Sequence, residues 1–474
     1  MYDVAVIGCG IVGTAVAREL SKYQLDVVVI DKNSDISDGT TKANSGIVHA
    51  GYDAREGTLK AKLNVMGNEM YEGICRELEV PFQRNESIVL GFSDEDMRKI
   101  EGLFERGIKN GVKELEVIDK NRLLSIEPNI SDGAVGALYA KTGGIVSPFE
   151  FAIALAENAS QNGVEFRLKT RVLNAQKCGE GFLINTDKGE IKSRFLVNAS
   201  GLFSDDINRM LGGADFEIIP RRGEYCLLDK SQGGVVRRTI FQTPTKNGKG
   251  ILVTPTVHGN LLIGPNAVEN QDKEDISTTA PGLDEIINGA KRSVKGINMR
   301  DIITSFSGVR ATPKGRDFII NVPVRRAVNA AGIESPGLTA APAIALMVLE
   351  LLSGEGLRLD KKVDFISRRI NAKRFMDMRE EEKAAAIKEN PLYGRIICRC
   401  EHVTEGDIIN AIKRPLGARS LDGIKKRVRP GMGRCQGGFC MPRVVEILSR
   451  ELGVEQDKIM KSNEGSYILT GRTK

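Results

Sequence analysis

The stretch VAVIGCGIVG, residues 4–13, decides the fold of the amino-terminal part of the chain. It is an apolar run followed by the pattern G-x-G-x-x-G, and it leads into a helix-forming segment and a second apolar run, VVVI, that ends before Asp31. Gly8, Gly10 and Gly13 allow a tight turn, the close approach of a pyrophosphate and close helix packing, while Asp31 suits a ribose hydroxyl pair. This strand-helix-strand context predicts a Rossmann-like domain that binds an adenine dinucleotide.

Length and composition limit the classes that remain. The chain has 474 residues with 51 glycines, and at roughly 150 residues per domain this length predicts about three domains. The glycines follow no G-X-Y period, which excludes a collagen-like chain. The longest apolar segment, residues 337–352, is interrupted by Pro342 and Glu350, and the amino end lacks a cationic region. We therefore expect no membrane span, no signal peptide and a cytoplasmic protein.

The net charge of +6 is unevenly distributed. Residues 395–474 contain 16 Lys and Arg against 9 Asp and Glu, a net of +7, which leaves −1 for the rest. A basic module is one signature of nucleic-acid binding. This module has only Phe439 and Tyr467 for stacking on bases, so we expect no nucleic-acid partner.

The middle of the chain alternates between two kinds of segment. Strands that return to the first domain are indicated by the segments VEFRLKTRVL and RFLVNASGLFSDDI. A second sheet is indicated by the helix DEDMRKIEGLFERGIKNG and the hairpin VTPTVHGNLLIGP. His258 falls in the turn of that hairpin, where a structural role is favoured over catalysis. The sequence predicts a dinucleotide domain at about 1–69, 137–217 and 307–370, interwoven with a second domain at about 70–136 and 218–306. A helical linker over 371–393, ended by Pro391, precedes a final domain over 394–474.

Eight cysteines in a chain without a secretory signal argue against a disulfide framework. Four of them are isolated and predict packed thiols, namely Cys9, Cys75, Cys178 and Cys226. The other four form C-x-C, 34 residues and C-x4-C, at Cys398, Cys400, Cys435 and Cys440. Two close thiolate pairs predict a metal site, either zinc or iron-sulfur. The charge of such a site can be offset by nearby cations, for which the candidates are Arg399, Lys425, Lys426 and Arg434.

Two family resemblances cover nearly the whole chain. The carboxy-terminal domain resembles the 2Fe-2S domain of the bacterioferritin-associated-ferredoxin-like family, in the segments CRCEHVTEGDI, LDGIKKR and GMGRCQGGFCMPRVVEIL. This resemblance favours an iron-sulfur cluster over a zinc ion. Residues 1 to about 370 resemble the D-amino-acid-oxidase superfamily of FAD enzymes, in its anaerobic glycerol-3-phosphate dehydrogenase and 2-hydroxyglutarate dehydrogenase branch. The matching pieces include TTKANSGIVHAGYD, VNASGLFSDDI, PRRGEY, FSGVRATPKGRDFII and GIESPGLTAAPAIA. The resemblance implies an FAD-binding Rossmann-like domain, a mixed-sheet substrate domain and a small α-rich 2Fe-2S domain, an α/β and α+β fold.

The resemblance also implies which residues hold the cofactors. Besides the fingerprint glycines and Asp31, the residues expected at FAD are Thr41, Asn44, Ser45, Gly46, Val172, Gly201, Gly332, Gly337, Leu338 and Thr339. The last three begin a helix whose amino end would face the flavin and stabilise its reduced, anionic form. The four clustered cysteines are the expected ligands of a 2Fe-2S cluster.

Oxidation of a secondary alcohol needs a base for the hydroxyl proton while hydride leaves carbon. His49 in SGIVHAG is the best candidate, although a structural hydrogen bond or a covalent flavin tether would also account for a buried histidine. Arg310 in SGVRATP is the expected anchor for an anionic substrate group, with a structural ion pair as its alternative. Arg222 and Tyr225 in RRGEY are weaker candidates at the substrate. The glycerol-3-phosphate enzymes often carry an arginine just after the HxG element, where this chain has Tyr52 and Asp53, and Arg55 is the nearest substitute.

These observations predict an FAD-dependent sn-glycerol 3-phosphate dehydrogenase that yields dihydroxyacetone phosphate. Electrons would pass from flavin through the 2Fe-2S centre to a partner subunit, either an NAD-linked flavoprotein or a membrane-bound quinone-reducing subunit, in an oligomer or hetero-complex. The alternatives are an L-2-hydroxy acid dehydrogenase acting on a substrate such as 2-hydroxyglutarate, an electron-transfer flavoprotein subunit, and a zinc-stabilised binding scaffold.

Overall fold

The structure, a computed structural model, describes residues 1–244, 250–370 and 373–471. Its strands in chain order are β1 Tyr2–Ile7, β2 Val27–Ile30, β3 Ile47–Val48, β4 Phe82–Gln83, β5 Ser87–Gly91, β6 Leu115–Asp119, β7 Gly136–Ala140, β8 Gly144–Val146, β9 Glu165–Arg167, β10 Val172–Cys178, β11 Gly181–Thr186, β12 Gly189–Asn198, β13 Ile218–Leu228, β14 Thr239–Gln242, β15 Leu252–Pro255, β16 Leu261–Gly264, β17 Val268–Glu269, β18 Ile302–Pro313, β19 Ile319–Asn321, β20 Ala327–Ala331, β21 Ile396–Cys398 and β22 Val403–Thr404. Its helices are α1 Ile11–Leu20, α2 Leu59–Glu77, α3 Asp94–Lys109, α4 Lys120–Ile126, α5 Pro148–Gln161, α6 Ser204–Met210, α7 Ala280–Ser293, α8 Gly337–Gly354, α9 Glu380–Glu389, α10 Glu405–Lys413, α11 Leu421–Val428 and α12 Met441–Leu452.

The first sheet contains the glycine fingerprint. Its order is β10-β11-β12-β1-β2-β9, with β20 paired to β12 and β19 to β20. β1 pairs in parallel with β2 and β12, as a βαβ unit requires. β1 and β2 are buried on both faces. α1, α5 and α8 cover one face, where Val4, Val16 and Ile344 belong to one core. On the other face Ala5 packs in a second core with Ile207 of α6. The predicted Rossmann-like domain is confirmed.

The second sheet has the order β17-β13-β16-β15-β14-β5-β7-β6, with β18 paired along β13. Most of its pairs are antiparallel, but β14 and β5 run in parallel, so the predicted mixed sheet is confirmed. Its strands come from two separate parts of the chain, and β18 continues to Pro313, beyond the predicted boundary at 306. The hairpin of β15 and β16 is also confirmed, with His258 in its turn and bonded through Nε2 to Glu150 Oε1 at 2.9 Å.

α8 is the helix among the described residues that has the length and hydropathy of a membrane span. It packs against α1 and α2, and residues such as Ala341, Ile344 and Val348 have no exposed surface. Burial of this kind identifies α8 as a core helix of the first domain.

The carboxy-terminal domain is small and mostly helical. Ile408, Ile424 and Leu448, from its three longest helices, form the centre of a separate core. The predicted connecting helix is α9, which ends at Glu389, before Pro391. The predicted linker also includes residues 371–372, which lie outside the described residues.

Buried ion pairs attach α11 to the first domain. The set, here called the interdomain ion cluster, consists of Asp35, Asp38, Glu157, Arg414, Lys426 and Arg427. Arg427 donates from both terminal nitrogens to the two oxygens of Asp35, each at 2.8 Å. Lys426 Nζ lies 2.9 Å from Asp38 Oδ1, and Arg414 Nε lies 2.8 Å from Glu157 Oε1. Because each of these six side chains is at most 8% exposed, the pairs are shielded from solvent, and loss of one partner would leave a buried charge unpaired.

Candidate functional site

A cavity of about 1310 Å³ is lined by loops of the first sheet and by one face of the second. The fingerprint forms one end of it. Gly8 has a φ of +105°, and a Cβ there would lie 2.4 Å from the carbonyl oxygen of Ala199. A Cβ on Gly13 would lie 1.9 Å from the Gly8 carbonyl oxygen, so both positions require glycine.

Asp31 and Thr41 fix the loop that follows the first strand. The backbone N–H of Cys9 donates to Asp31 Oδ2 at 2.8 Å, and that of Ile11 donates to Thr41 Oγ1 at 3.0 Å. Asn44 accepts from the N–H of Gly46 at 2.9 Å, which holds the residues after Thr41 in a turn. The same wall is completed by Val172, Gly201, Gly337 and Leu338, and α8 begins at Gly337.

His49 lies half-buried in this cavity, just after β3. Its N–H donates to Thr339 Oγ1 at 2.9 Å, and its carbonyl accepts from the side-chain amides of Asn64 and Asn68, each at 3.0 Å. Its Nε2 is 3.3 Å from the Ser335 hydroxyl. Three bonds to the backbone therefore fix the residue while the imidazole stays in the cavity.

The opposite wall is one face of the β13-β18 pair. Arg221, Gly223 and Tyr225 alternate along β13, and Arg310 is the direct cross-strand neighbour of Arg221. The guanidinium of Arg310 lies over Gly223, where a Cβ would be 2.4 Å from its Nη2. It donates to the carbonyl of Asn266 at 3.1 Å and hydrogen-bonds the Tyr225 hydroxyl. Burial raises the pKa of Tyr225, and Arg310 offsets part of that rise.

Two arginines thus face each other without a shared carboxylate. Directly opposed residues of an antiparallel pair have Cβ atoms about 5 Å apart, and like charges there repel. Within the described residues Arg221 has no ion pair, and its buried Nε has no hydrogen-bond partner. An anion bound between the two guanidinium groups would remove this repulsion.

The four clustered cysteines form two pairs. Cys400 Sγ and Cys435 Sγ are 3.8 Å apart, and Cys398 hydrogen-bonds Cys440. The bond from Cys440 and backbone N–H groups, including that of Gly431, lower the pKa of Cys398 to about 6, which favours its thiolate. Two sulfurs at about 2.3 Å from one tetrahedral metal ion lie about 3.8 Å apart. The Cys400–Cys435 spacing therefore suits two thiolate ligands of one metal ion, either in a zinc site or in a 2Fe-2S cluster.

Comparison with known proteins agrees with this geometry. Residues 3–351 match the FAD dependent oxidoreductase family. The chain belongs to the FAD dependent oxidoreductase family. Residues 396–450 match the BFD-like [2Fe-2S] binding domain. These two matches confirm the predicted cofactors of the FAD dependent oxidoreductase chain, FAD and a 2Fe-2S cluster.

Individual relatives are similar over different lengths of the chain. A glycerol 3-phosphate dehydrogenase of Caloramator mitchellensis is 53% identical over 100% of this chain and 99% of its own length. An L-alpha-glycerophosphate oxidase of Mycoplasma pneumoniae, solved with FAD bound, has a TM-score of 0.74 and 31% identity over 77% of this chain and 98% of its own. An L-2-hydroxyglutarate dehydrogenase of Nematostella vectensis is 28% identical over 74% of this chain and 90% of its own length.

The residues expected at FAD fall into two groups. Gly8, Gly10, Asp31 and the loop from Thr41 to Ser45 line the cavity, together with Val172, Gly201, Gly337 and Leu338. The others shape the wall from behind it, namely Gly13, Gly46, Gly332 and Thr339. Gly46 and Gly332 have φ values of +67° and +63°, which explains glycine at both.

The structure does not bring Arg222 or Arg55 into the cavity, contrary to prediction. Arg222 follows Arg221 on β13, so its side chain leaves the opposite face of the sheet, where Nη1 bonds Asp275 at 2.5 Å and Ser277 at 2.8 Å. Arg55 is exposed in the loop before α2. Sequence reasoning instead missed Arg221, which strand alternation would have placed on the same face as Tyr225.

Proposed function

We propose that the protein oxidises sn-glycerol 3-phosphate to dihydroxyacetone phosphate. The observation that carries this proposal is the cavity wall on which Arg221 and Arg310 oppose each other, within the same cavity as His49. Two facing guanidinium groups suit a dianionic phosphate better than one carboxylate. The full-length similarity to a protein named glycerol 3-phosphate dehydrogenase supports the same substrate.

His49 is the proposed base. Bound FAD supplies the hydride acceptor, and the 2Fe-2S centre transfers the electrons singly. The Nε2 atom of His49 takes the hydroxyl proton of the substrate, while the bonds from Thr339, Asn64 and Asn68 keep the imidazole in position. The ring of Phe241, which also lines the cavity, has its centroid 5.8 Å from that of His49 and contributes an apolar surface beside the base.

Arg221 and Arg310 are the proposed phosphate ligands. Arg310 is already oriented by Asn266 and Tyr225, so it loses little side-chain entropy on binding. Arg221 contributes the second positive charge, which distinguishes a phosphate dianion from a monoanionic carboxylate.

We expect Arg221→Met and Arg310→Met each to lower kcat/KM for glycerol 3-phosphate by about 10- to 100-fold. A hydrogen bond to a charged group contributes about 1.5–3 kcal/mol. The matched control is Arg55→Gln, which removes an exposed arginine from outside the cavity and should leave kcat/KM unchanged. Steady-state kinetics with an artificial electron acceptor measures all three, and a larger loss for Arg55→Gln than for Arg221→Met would contradict the assignment.

Anaerobic titration of the cofactor-loaded protein tests the function itself. Flavin absorbance is followed while glycerol 3-phosphate, and separately L-2-hydroxyglutarate, is added. We expect bleaching by glycerol 3-phosphate alone. Bleaching only by the hydroxy acid would assign the second substrate, and bleaching by neither would assign the chain to electron transfer between other proteins.

The electron acceptor is proposed to be a protein subunit. A 2Fe-2S centre exchanges one electron at a time, which suits a protein acceptor such as an NAD-linked flavoprotein or a quinone-reducing membrane subunit. We infer that the chain functions in a hetero-complex with such a subunit.

A further inference from the structure

One pair of cluster ligands lies at the protein surface. Cys398 and Cys440 are 2% and 3% exposed, whereas Cys400 is exposed and Cys435 is half-buried. The Cys400–Cys435 edge is therefore the part of the metal site that another protein can approach. Short distance to the acceptor favours electron transfer, so this edge is where electrons leave most readily.

The side chains next to this edge are exposed and positively charged. Arg399 and Arg434 directly precede Cys400 and Cys435, and both are exposed. Arg434 keeps a 3.4 Å contact with Asp301 but is still 68% exposed. Residues 423–445 contain no Asp or Glu, so the charges that this segment itself carries are positive.

Phe439 adds an apolar contact point. It precedes Cys440 and is 86% exposed, although a phenyl ring of this size is stabilised by burial. Exposed aromatic and arginine side chains together are typical of interaction hot spots. The face of the domain formed by α11 is unavailable to a partner, because Lys426 and Arg427 bury it against the first domain.

We propose that Arg399, Cys400, Arg434, Cys435 and Phe439, here called the cluster-edge surface, bind a one-electron acceptor protein whose contact face has an apolar centre and an acidic rim. The inference rests on the proposed function, because oxidation of the substrate supplies the electrons. Each encounter moves one electron from the cluster to the acceptor. Two single-electron transfers to the acceptor follow the oxidation of each substrate molecule, and the two protons are released to water.

The test uses cofactor-loaded full-length protein reduced with dithionite, so it does not depend on the substrate. The probe is rubredoxin, an acidic one-electron iron protein, and stopped-flow absorbance gives the second-order rate constant of its reduction. We expect Arg399→Gln with Arg434→Gln to slow this reaction about tenfold at low salt, and the difference to vanish at about 0.5 M salt. Phe439→Ala is expected to slow it several-fold at both salt concentrations.

Matched variants separate docking from other effects. Lys413→Gln with Lys458→Gln removes two equally exposed charges elsewhere on the domain and should not change the rate. The double variant Arg399→Lys with Arg434→Lys keeps both charges, so it should restore the salt-dependent rate. Reduction of a small uncharged dye serves as a second control. A variant that changed the potential of the cluster would reduce this dye more slowly as well.

Wild-type protein that fails to reduce rubredoxin, or equal rates in the cluster-edge and control variants, would overturn the proposal. Failure of the proposed function would appear separately, as absence of flavin bleaching by glycerol 3-phosphate in the same preparations.

Discussion

Replacement of His49 by asparagine is expected to lower the rate of flavin reduction by glycerol 3-phosphate about 10²- to 10⁴-fold, the range that a positioned general base contributes. Asparagine keeps a polar side chain in the cavity but cannot accept the hydroxyl proton. The bonds that fix this residue involve its backbone N–H and carbonyl, so they persist in the variant. Anaerobic stopped-flow absorbance of the flavin measures the rate directly.

The chain offers a matched control for this substitution. It has three histidines, and His402 is exposed on the carboxy-terminal domain with a φ of +49°, a conformation that asparagine tolerates. In the His402→Asn variant, glycerol 3-phosphate should reduce the flavin at the wild-type rate. Retention of FAD by His49→Asn, measured from its absorbance, shows that the cavity is intact. A loss below about tenfold in His49→Asn would remove this residue from the role of base.

Replacement of Arg427 by methionine is expected to lower the free energy of unfolding by about 3–5 kcal/mol, because it leaves a buried carboxylate without its bidentate partner. Arg427 is 0% exposed and Asp35 8% exposed in this pair. Because the chain has no tryptophan, urea unfolding is best followed by circular dichroism. Limited proteolysis between the two domains should become faster in the variant.

Two further variants define the interaction. Lys461→Gln breaks a solvent-exposed pair with Asp422 in the same domain and should change the free energy of unfolding by less than about 1 kcal/mol. Asp35→Asn combined with Arg427→Met removes both charges, so the double variant should lose less stability than the sum of the two single variants. Additive losses would show that the pair has no coupling energy.

The sign of the pH dependence follows from the same pair. Burial alone raises the pKa of Asp35, but Arg427 and Lys426 outweigh burial and hold that pKa well below its usual range. A carboxyl group whose pKa is depressed in the folded state stabilises that state at any pH above its unfolded pKa of about 3.9. This stabilisation is lost as the pH falls below that value. The stability difference between wild type and Arg427→Met should therefore be constant between about pH 6 and 8.

Local sequence patterns were sufficient for the parts of the site that are local in the chain. The glycine fingerprint, Asp31 and the two cysteine pairs are short-range patterns whose chemistry depends on spacing. The structure places Gly8, Gly10 and Asp31 at the cavity, and it brings Cys400 and Cys435 together. His49 and Tyr225 also line the cavity as expected. The loop after the first strand is fixed by Thr41 because a backbone N–H of α1 has no helical partner there.

The positions that sequence reasoning missed depend on long-range register. Arg221 and Arg222 are adjacent, and alternation along β13 places them on opposite faces of the sheet. That Arg310 lies opposite Arg221 follows from the pairing of β13 with β18, two strands that are far apart in the chain. The basic charge near the cysteines was also assigned too simply. Lys426, expected to offset the charge of the cluster, bonds Asp38 and the carbonyl of Ile36 instead, so part of that charge attaches the domain.

The interdomain ion cluster has an evolutionary consequence. Within the described residues, the cations paired with Asp35 are Lys426 and Arg427, both supplied by the carboxy-terminal domain. A chain that lost this domain would expose the Asp35 carboxylate to water, where an unpaired charge costs little. The constraint therefore acts only while the domains are fused, because a neutral residue at position 35 would then leave Lys426 and Arg427 buried without one of their acidic partners. We expect these three positions to change together among fused relatives.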